Sequence, residues 1–196
     1  RDKLAVAATG HVMKHVTTDV CEKYYQLGYD EYRWRFPFNL FQKKFQSGVI
    51  RFVQKQDIST TTGKRGVRYF FVNSLFYPLL EWLGLFHNAA SLSLSPRFKS
   101  WLEDYRPQLL YFQVSSLDTI QFAGELKKYL GTPSVIHMMD DWPSTISNKG
   151  PFKKIWKERI DNEFKELLHS TNLFLSISDS MSIEYKRRYD KAFIPF

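Results

Sequence analysis

The sequence predicts an α/β protein built on a doubly wound, mostly parallel sheet with helices on both faces. Two observations carry this prediction. From Pro107 onward, short apolar runs alternate with amphipathic stretches, the strand–helix–strand succession of parallel βαβ units. At 196 residues the chain is also long enough to bury one good core, and no internal repeat divides it.

KLAVAATG (3–10) is a short apolar run closed by glycine and predicts a buried strand. KYYQLG (23–28) predicts a second. PFNLFQKKFQSGVIRFV (37–53) places Phe38, Phe41, Phe45, Val49 and Phe52 at three- and four-residue steps, with Lys43, Lys44 and Arg51 off that stripe. The spacing predicts an amphipathic helix. STTTGKRG (59–66) is a polar loop, and NSLFYPLLEWLGLF (73–86) an apolar helix with Pro78 near its first turn. SPRFKSWLEDYRP (95–107) opens on a serine cap and a first-position proline and ends at Pro107. QLLYFQV (108–114) predicts a strand, SLDTIQFAGELKKYLG (116–131) a helix ended by glycine, and PSVIHMM (133–139) a strand. FKKIWKERIDNEFKELLHS (152–170) is a long amphipathic helix, NLFLSIS (172–178) a strand, DSMSIEYKRRY (179–189) a helix capped by Asp179, and KAFIPF (191–196) a final strand.

Charge is localised. Between Arg33 and Arg68 nine basic residues face one acid, Asp57, so 9 − 1 equals the +8 of the whole chain. A basic segment with interleaved phenylalanines suits an anionic membrane, with Lys43, Lys44, Phe41 and Phe45 as contacts. It equally fits a helix whose stripe is core; single-stranded nucleic acid is the weakest reading, since no RNA-binding motif accompanies the charge. The single cysteine, Cys21, excludes an internal disulfide framework and fits a reducing compartment. No apolar run reaches transmembrane length. His11, His15 and His87 lack partners at metal-ligand spacing, and Ser115-Ser116 lacks the glycines of a nucleophile elbow.

The stretch PSVIHMMDDWPSTI (133–146) sets two adjacent carboxylates, Asp140 and Asp141, just past an apolar strand. Ligands of open parallel sheets bind beyond the carboxyl ends of the strands, which puts both acids at a binding rim. Three other strand ends should share it: Thr9-Gly10-His11, Gln113 to Ser116, and Ser176 to Asp179. Asp140 and Asp141 there suit a hydroxyl-rich or cationic ligand. Solvated or capping acids are the plainer alternative, and a metal site the least favoured, because adjacent acids point in different directions. Trp142 is read as stacking on a sugar ring or as closing the core. Ser178 and Asp179 could touch ligand from the next strand end, although Asp179 more simply caps the following helix.

The succession DYRPQLLYF, LGTPSVIHMMDDW, LFLSISDSM, KRRY and FIPF resembles glycosyltransferase family 4, over roughly residues 97–196. The resemblance is to that family's N-terminal, acceptor-side domain, a Rossmann-like half of the GT-B fold. Ser176-Ile177-Ser178-Asp179-Ser180 matches one family element and Ile194-Pro195 the crossover. Met139 stands where relatives carry a rim histidine, so its role passes to Asp140 or Asp141, or to His137.

What this implies is the acceptor-binding half of a retaining, nucleotide-sugar-dependent glycosyltransferase of polysaccharide or glycolipid synthesis. Residues 1–196 would form one domain with a basic, Phe-rich insertion at about 33–68, the donor-binding domain lying outside this chain. Asp140 and Asp141 would be catalytic, and His137, Trp142, Ser116, Ser178 and Asp179 would bind acceptor. No cofactor or metal is expected in this domain. The partners implied are a sugar or lipid-linked sugar acceptor and an anionic membrane, in the cytoplasm at the inner face of the plasma membrane. A non-catalytic basic module for nucleic acid or anionic lipid is the rival reading.

Overall fold

The computed structural model describes residues 4–9, 21, 23–36, 38–40, 45–50, 77–145 and 150–196. The regular half folds as the alternation of apolar and amphipathic segments predicts. β6 (Leu110–Phe112), β7 (Ser134–Met138), β8 (Leu173–Ser176) and β9 (Ile194–Pro195) form a four-stranded, all-parallel sheet in the order β6-β7-β8-β9. The helices between them are α3 (Leu117–Leu130), α4 (Trp142–Thr145), α5 (Lys153–Ser170) and α6 (Asp179–Tyr189). Parallel pairing needs such crossovers, because each strand must return to its starting end.

Helix ends follow local chemistry. α2 (Pro96–Tyr105) has Pro96 in its first turn, and the Ser95 hydroxyl accepts from the Phe98 amide at 3.0 Å. α3 stops at Gly131, whose φ of 65° is the left-handed conformation glycine adopts without strain.

The main core lies on one face of the parallel sheet. Ile136, Met138 and Phe174 point at Ile160, Phe164 and Tyr185, all buried. On the alternate face, Tyr111, Leu173 and Ile194 are exposed. A second cluster joins Tyr25 and Leu27 to Phe98, Leu102, Leu110 and Phe122, tying the N-terminal strands to α2, β6 and α3.

The N-terminal third departs from expectation. β1 (Ala5–Thr9) and β2 (Lys23–Leu27) form where predicted, but they pair with each other and with β4 (Gly48–Ile50). They do not extend the β6–β9 sheet. The helix expected over 37–53 is likewise not formed in its described part. Phe38–Leu40 is a single 3-10 turn, and residues 48–50 lie antiparallel to β2, with Tyr24 opposite Ile50 and Gln26 opposite Gly48. Pairing of the β-branched Val49-Ile50 with β2 outweighs the helical stripe. The phenylalanines are thereby separated: Phe38 packs in a core with Leu80 and Ala89, while Phe45 is half-buried. Phe41, Lys43 and Lys44 lie outside the described residues.

The helix expected over 73–86 is also divided. α1 covers Tyr77–Trp82, Gly84 turns the chain at φ +67°, and a 3-10 turn follows at Leu85–Asn88. A short antiparallel pair, β3 (Tyr32–Trp34) with β5 (Ala90–Leu92), was not expected. Its cue was legible as the strict alternation in SLSLS at 91–95.

Two tyrosines of this region titrate late. Burial, then the Glu31 carboxylate, pushes the Tyr25 hydroxyl up to about 12, and burial, then Asp118, does the same to Tyr32. The folded state therefore holds protons that the unfolded chain releases near pH 10. Stability is fully present below that pH and is lost as pH rises towards 12. The thermal midpoint should fall steeply across this interval, together with growth of tyrosinate absorbance. A midpoint flat through the interval would contradict the assignment.

Candidate functional site

Because β7 and β8 pair with Met138 opposite Ser176, the residues two beyond each strand, Asp140 and Ser178, stand on the same rim. The sheet register thus brings together the β6 end (Gln113, Ser115), the β7 end (Met139, Asp140) and the β8 end (Ile177, Ser178, Asp179). Ser115, Met139, Asp140, Ile177, Ser178 and Asp179 are all exposed. Thr9 ends β1 in the other sheet, so it does not line this rim. Gly10 and His11 lie outside the described residues.

The two adjacent acids have different surroundings. Asp140 is exposed, and no hydrogen bond or ion pair engages it among the described residues. Asp141 is partly buried and is held from α6: Tyr185 donates to its Oδ1 at 3.0 Å, and the Arg188 guanidinium donates to the same oxygen. Arg188 also reaches Glu184 at 3.2 Å and lies over the Tyr185 ring at 4.9 Å. Burial, then the charge of Asp141, pushes the Tyr185 hydroxyl well above its ordinary range, keeping it a donor. Asp141 thus anchors the loop after β7 to α6, and Asp140 is the carboxylate left open at the rim. These holders were present in the sequence as YKRRY (185–189), but only the packing of α6 against β8 and β9 shows which residues turn towards Asp141.

Three residues expected to bind acceptor have structural roles. Trp142 is only 7% exposed and meets Phe164 edge-on, so its indole closes the core and offers no face for stacking. His137 is buried within β7. Its Nδ1 shares a hydrogen bond with the Tyr111 hydroxyl, which also accepts from Gln113 Nε2 at 3.3 Å, and its ring meets Phe196 edge-on. A side chain in mid-strand cannot reach the rim when neighbouring rings cover it. Ser116 caps α3: its amide donates to Thr119 Oγ1 at 3.0 Å and its hydroxyl lies 3.0 Å from the same atom. Ser178 rather than Asp179 caps α6, accepting from the Met181 amide at 3.3 Å. Asp179 is the acid of the first turn, where it complements the positive end of the helix.

The described residues therefore form a mixed α/β structure whose four-stranded parallel sheet carries a polar, acid-bearing rim at the carboxyl ends of its strands. Comparison of the chain with protein-family models, with curated proteins and with solved structures finds no match. No helix among the described residues is long and apolar enough to cross a membrane.

Proposed function

We propose that this chain is the acceptor-binding half of a retaining, nucleotide-sugar-dependent glycosyltransferase, with a doubly wound, Rossmann-like domain of the GT-B type. The observation that carries the reading is Asp140: an exposed carboxylate just past a central parallel strand, beside Ser178 and Asp179 of the next. A carboxylate there accepts hydrogen bonds from sugar hydroxyls and can take up the proton released when a hydroxyl attacks. The open rim also fits an acceptor larger than an enclosed pocket would admit. By resemblance to glycosyltransferase family 4, the attack is on the anomeric carbon of a donor held by a second domain. The acceptor would enter on the face from which the nucleotide leaves, so no protein nucleophile is required.

Asp140→Asn, in the enzyme that carries the donor-binding half, should lower turnover at least ~10-fold with little change in stability. Asp141→Asn should instead lower stability by roughly 1–2 kcal/mol, since it weakens a partly exposed ion pair to Arg188. Transfer of labelled sugar from a nucleotide-sugar panel to an acceptor extract reads the first effect, and urea unfolding the second. Full turnover in Asp140→Asn, or tight calorimetric binding of a nucleotide sugar to this chain alone, would defeat the reading.

A further inference from the structure

A second surface combines exposed apolar side chains with a concentration of positive charge. Leu79 and Trp82 of α1, Leu85 just after it, and Phe152 and Ile155 at the start of α5 are all large and apolar, with exposures between 40% and 60%. The sequence FKKIWKER (152–159) adds Lys153, Lys154, Lys157 and Arg159 against the single acid Glu158, a local charge of 4 − 1 = +3. All four cations are exposed. Scattered apolar residues need no explanation, but a contiguous group with charge beside it marks an interaction site.

The grouping is built into the fold. Gly84, at φ +67°, lets the chain after α1 sit against Trp156: a Cβ there would come within 2.5 Å of the indole Cδ1. At Gly150, φ +90°, a Cβ would lie 1.7 Å from the Trp82 carbonyl oxygen. His87 completes the contact, its ring 5.4 Å from that of Trp156. α1 and the first turns of α5 thus present one surface. α5 runs back from the carboxyl end of β7 to the start of β8, so this surface stands at the rim end of the sheet.

Helix stability does not account for the charges. Acids favour the first turn of a helix and cations the last, yet α5 opens with two lysines, no acid in its first turn and no side chain capping it. The Lys154–Glu158 pair is largely exposed, at 3.9 Å. Cations placed against the helix dipole, flanked by a tryptophan and aliphatic side chains, complement a negatively charged interface with an apolar interior. We propose that this face docks on an anionic lipid membrane, with the lysines among the headgroups and Trp82, Phe152 and Ile155 at the acyl boundary. The docking goes beyond the transferase reading and stands without it. The face is a different element from the stripe at 37–53, of which Phe41, Lys43 and Lys44 lie outside the described residues.

The test is co-sedimentation of the full chain with phosphatidylcholine vesicles with and without phosphatidylserine. Pelleting is expected with the anionic vesicles only, with a loss of affinity of at least about tenfold in K153E/K154E/K157E and release by added salt. A blue shift of tryptophan fluorescence on binding should shrink in Trp82→Phe. These positions are exposed, so the variants should keep the parent's circular dichroism and thermal midpoint. Several results would overturn the proposal: no pelleting, equal pelleting on neutral vesicles, or unchanged binding in the lysine variant. Loss of binding in K43E/K44E with retention in the Lys153 variant would overturn it too. So would a concentration-dependent dimer, formed without lipid and abolished by Ile155→Ser, since a second copy would then cover the face.

Discussion

Replacing Glu31 with alanine is expected to destabilise the fold by about 3–5 kcal/mol, in a protein whose total stability should be of order 5–15 kcal/mol. Glu31 has no exposed surface. Its Oε1 accepts from the Tyr25 hydroxyl at 3.0 Å and from the Ser95 hydroxyl, and its Oε2 accepts from the Gly28 amide at 3.1 Å. Alanine would leave all three donors in an apolar setting with nothing to accept them, and each orphan costs ~1–3 kcal/mol. The loss would spread, because the Ser95 hydroxyl that donates to Glu31 also caps α2. Glu31→Gln should cost less, since the amide keeps one acceptor oxygen. Urea unfolding of the two variants measures this. A loss under about 1 kcal/mol in Glu31→Ala would show that the carboxylate does not tie β2 to α2.

Phe164→Ala should cost a similar ~3–5 kcal/mol, as expected for emptying the site of a fully buried aromatic side chain. Phe164 has no exposed surface and stands at the centre of the main core, meeting Tyr189 at 5.2 Å and Trp142 and Tyr185 at 6.4 Å, all edge-on. Two of these neighbours support the rim. Trp142 follows Asp141 directly, and Tyr185 donates to Asp141. The cavity should therefore loosen the loop after β7 as well as the core. Amide exchange at 139–142 should quicken more than global unfolding requires. Phe164→Leu should stay within about 1.5 kcal/mol of the parent. Equal protection of the loop in parent and Phe164→Ala would show that the rim does not depend on this ring.

Apart from the one-turn helix α4, which was not expected, the order of strands and helices from Pro96 to Pro195 was legible in the sequence because it rests on local terms. Apolar period, the serine and proline at the start of α2, and the glycine that ends α3 each act within a turn or two of chain. The adjacency of Asp140 and Ser178 followed from the same pattern, since parallel pairing lines up the ends of neighbouring strands. What each of those residues does was not legible. Asp140 and Asp141 are the same residue type at neighbouring positions, and only the docking of α6 makes one an anchor and leaves the other open. Trp142 and His137 looked available because a sequence carries no record of which ring covers which.

The first third shows the same division in reverse. The phenylalanine stripe at 37–53 satisfies a helical period, but residues 48–50 of it pair with β2, since cross-strand contacts come from residues distant in the chain. Glu31 is the clearest case. Nothing in DEYRW marks it for burial, which depends on Ser95, 64 positions further on. Local propensity thus determined most of the elements that form from Pro96 onward. Long-range closure, which brings distant donors and rings together, decided how the N-terminal strands pair and which side chains remain free to meet a ligand.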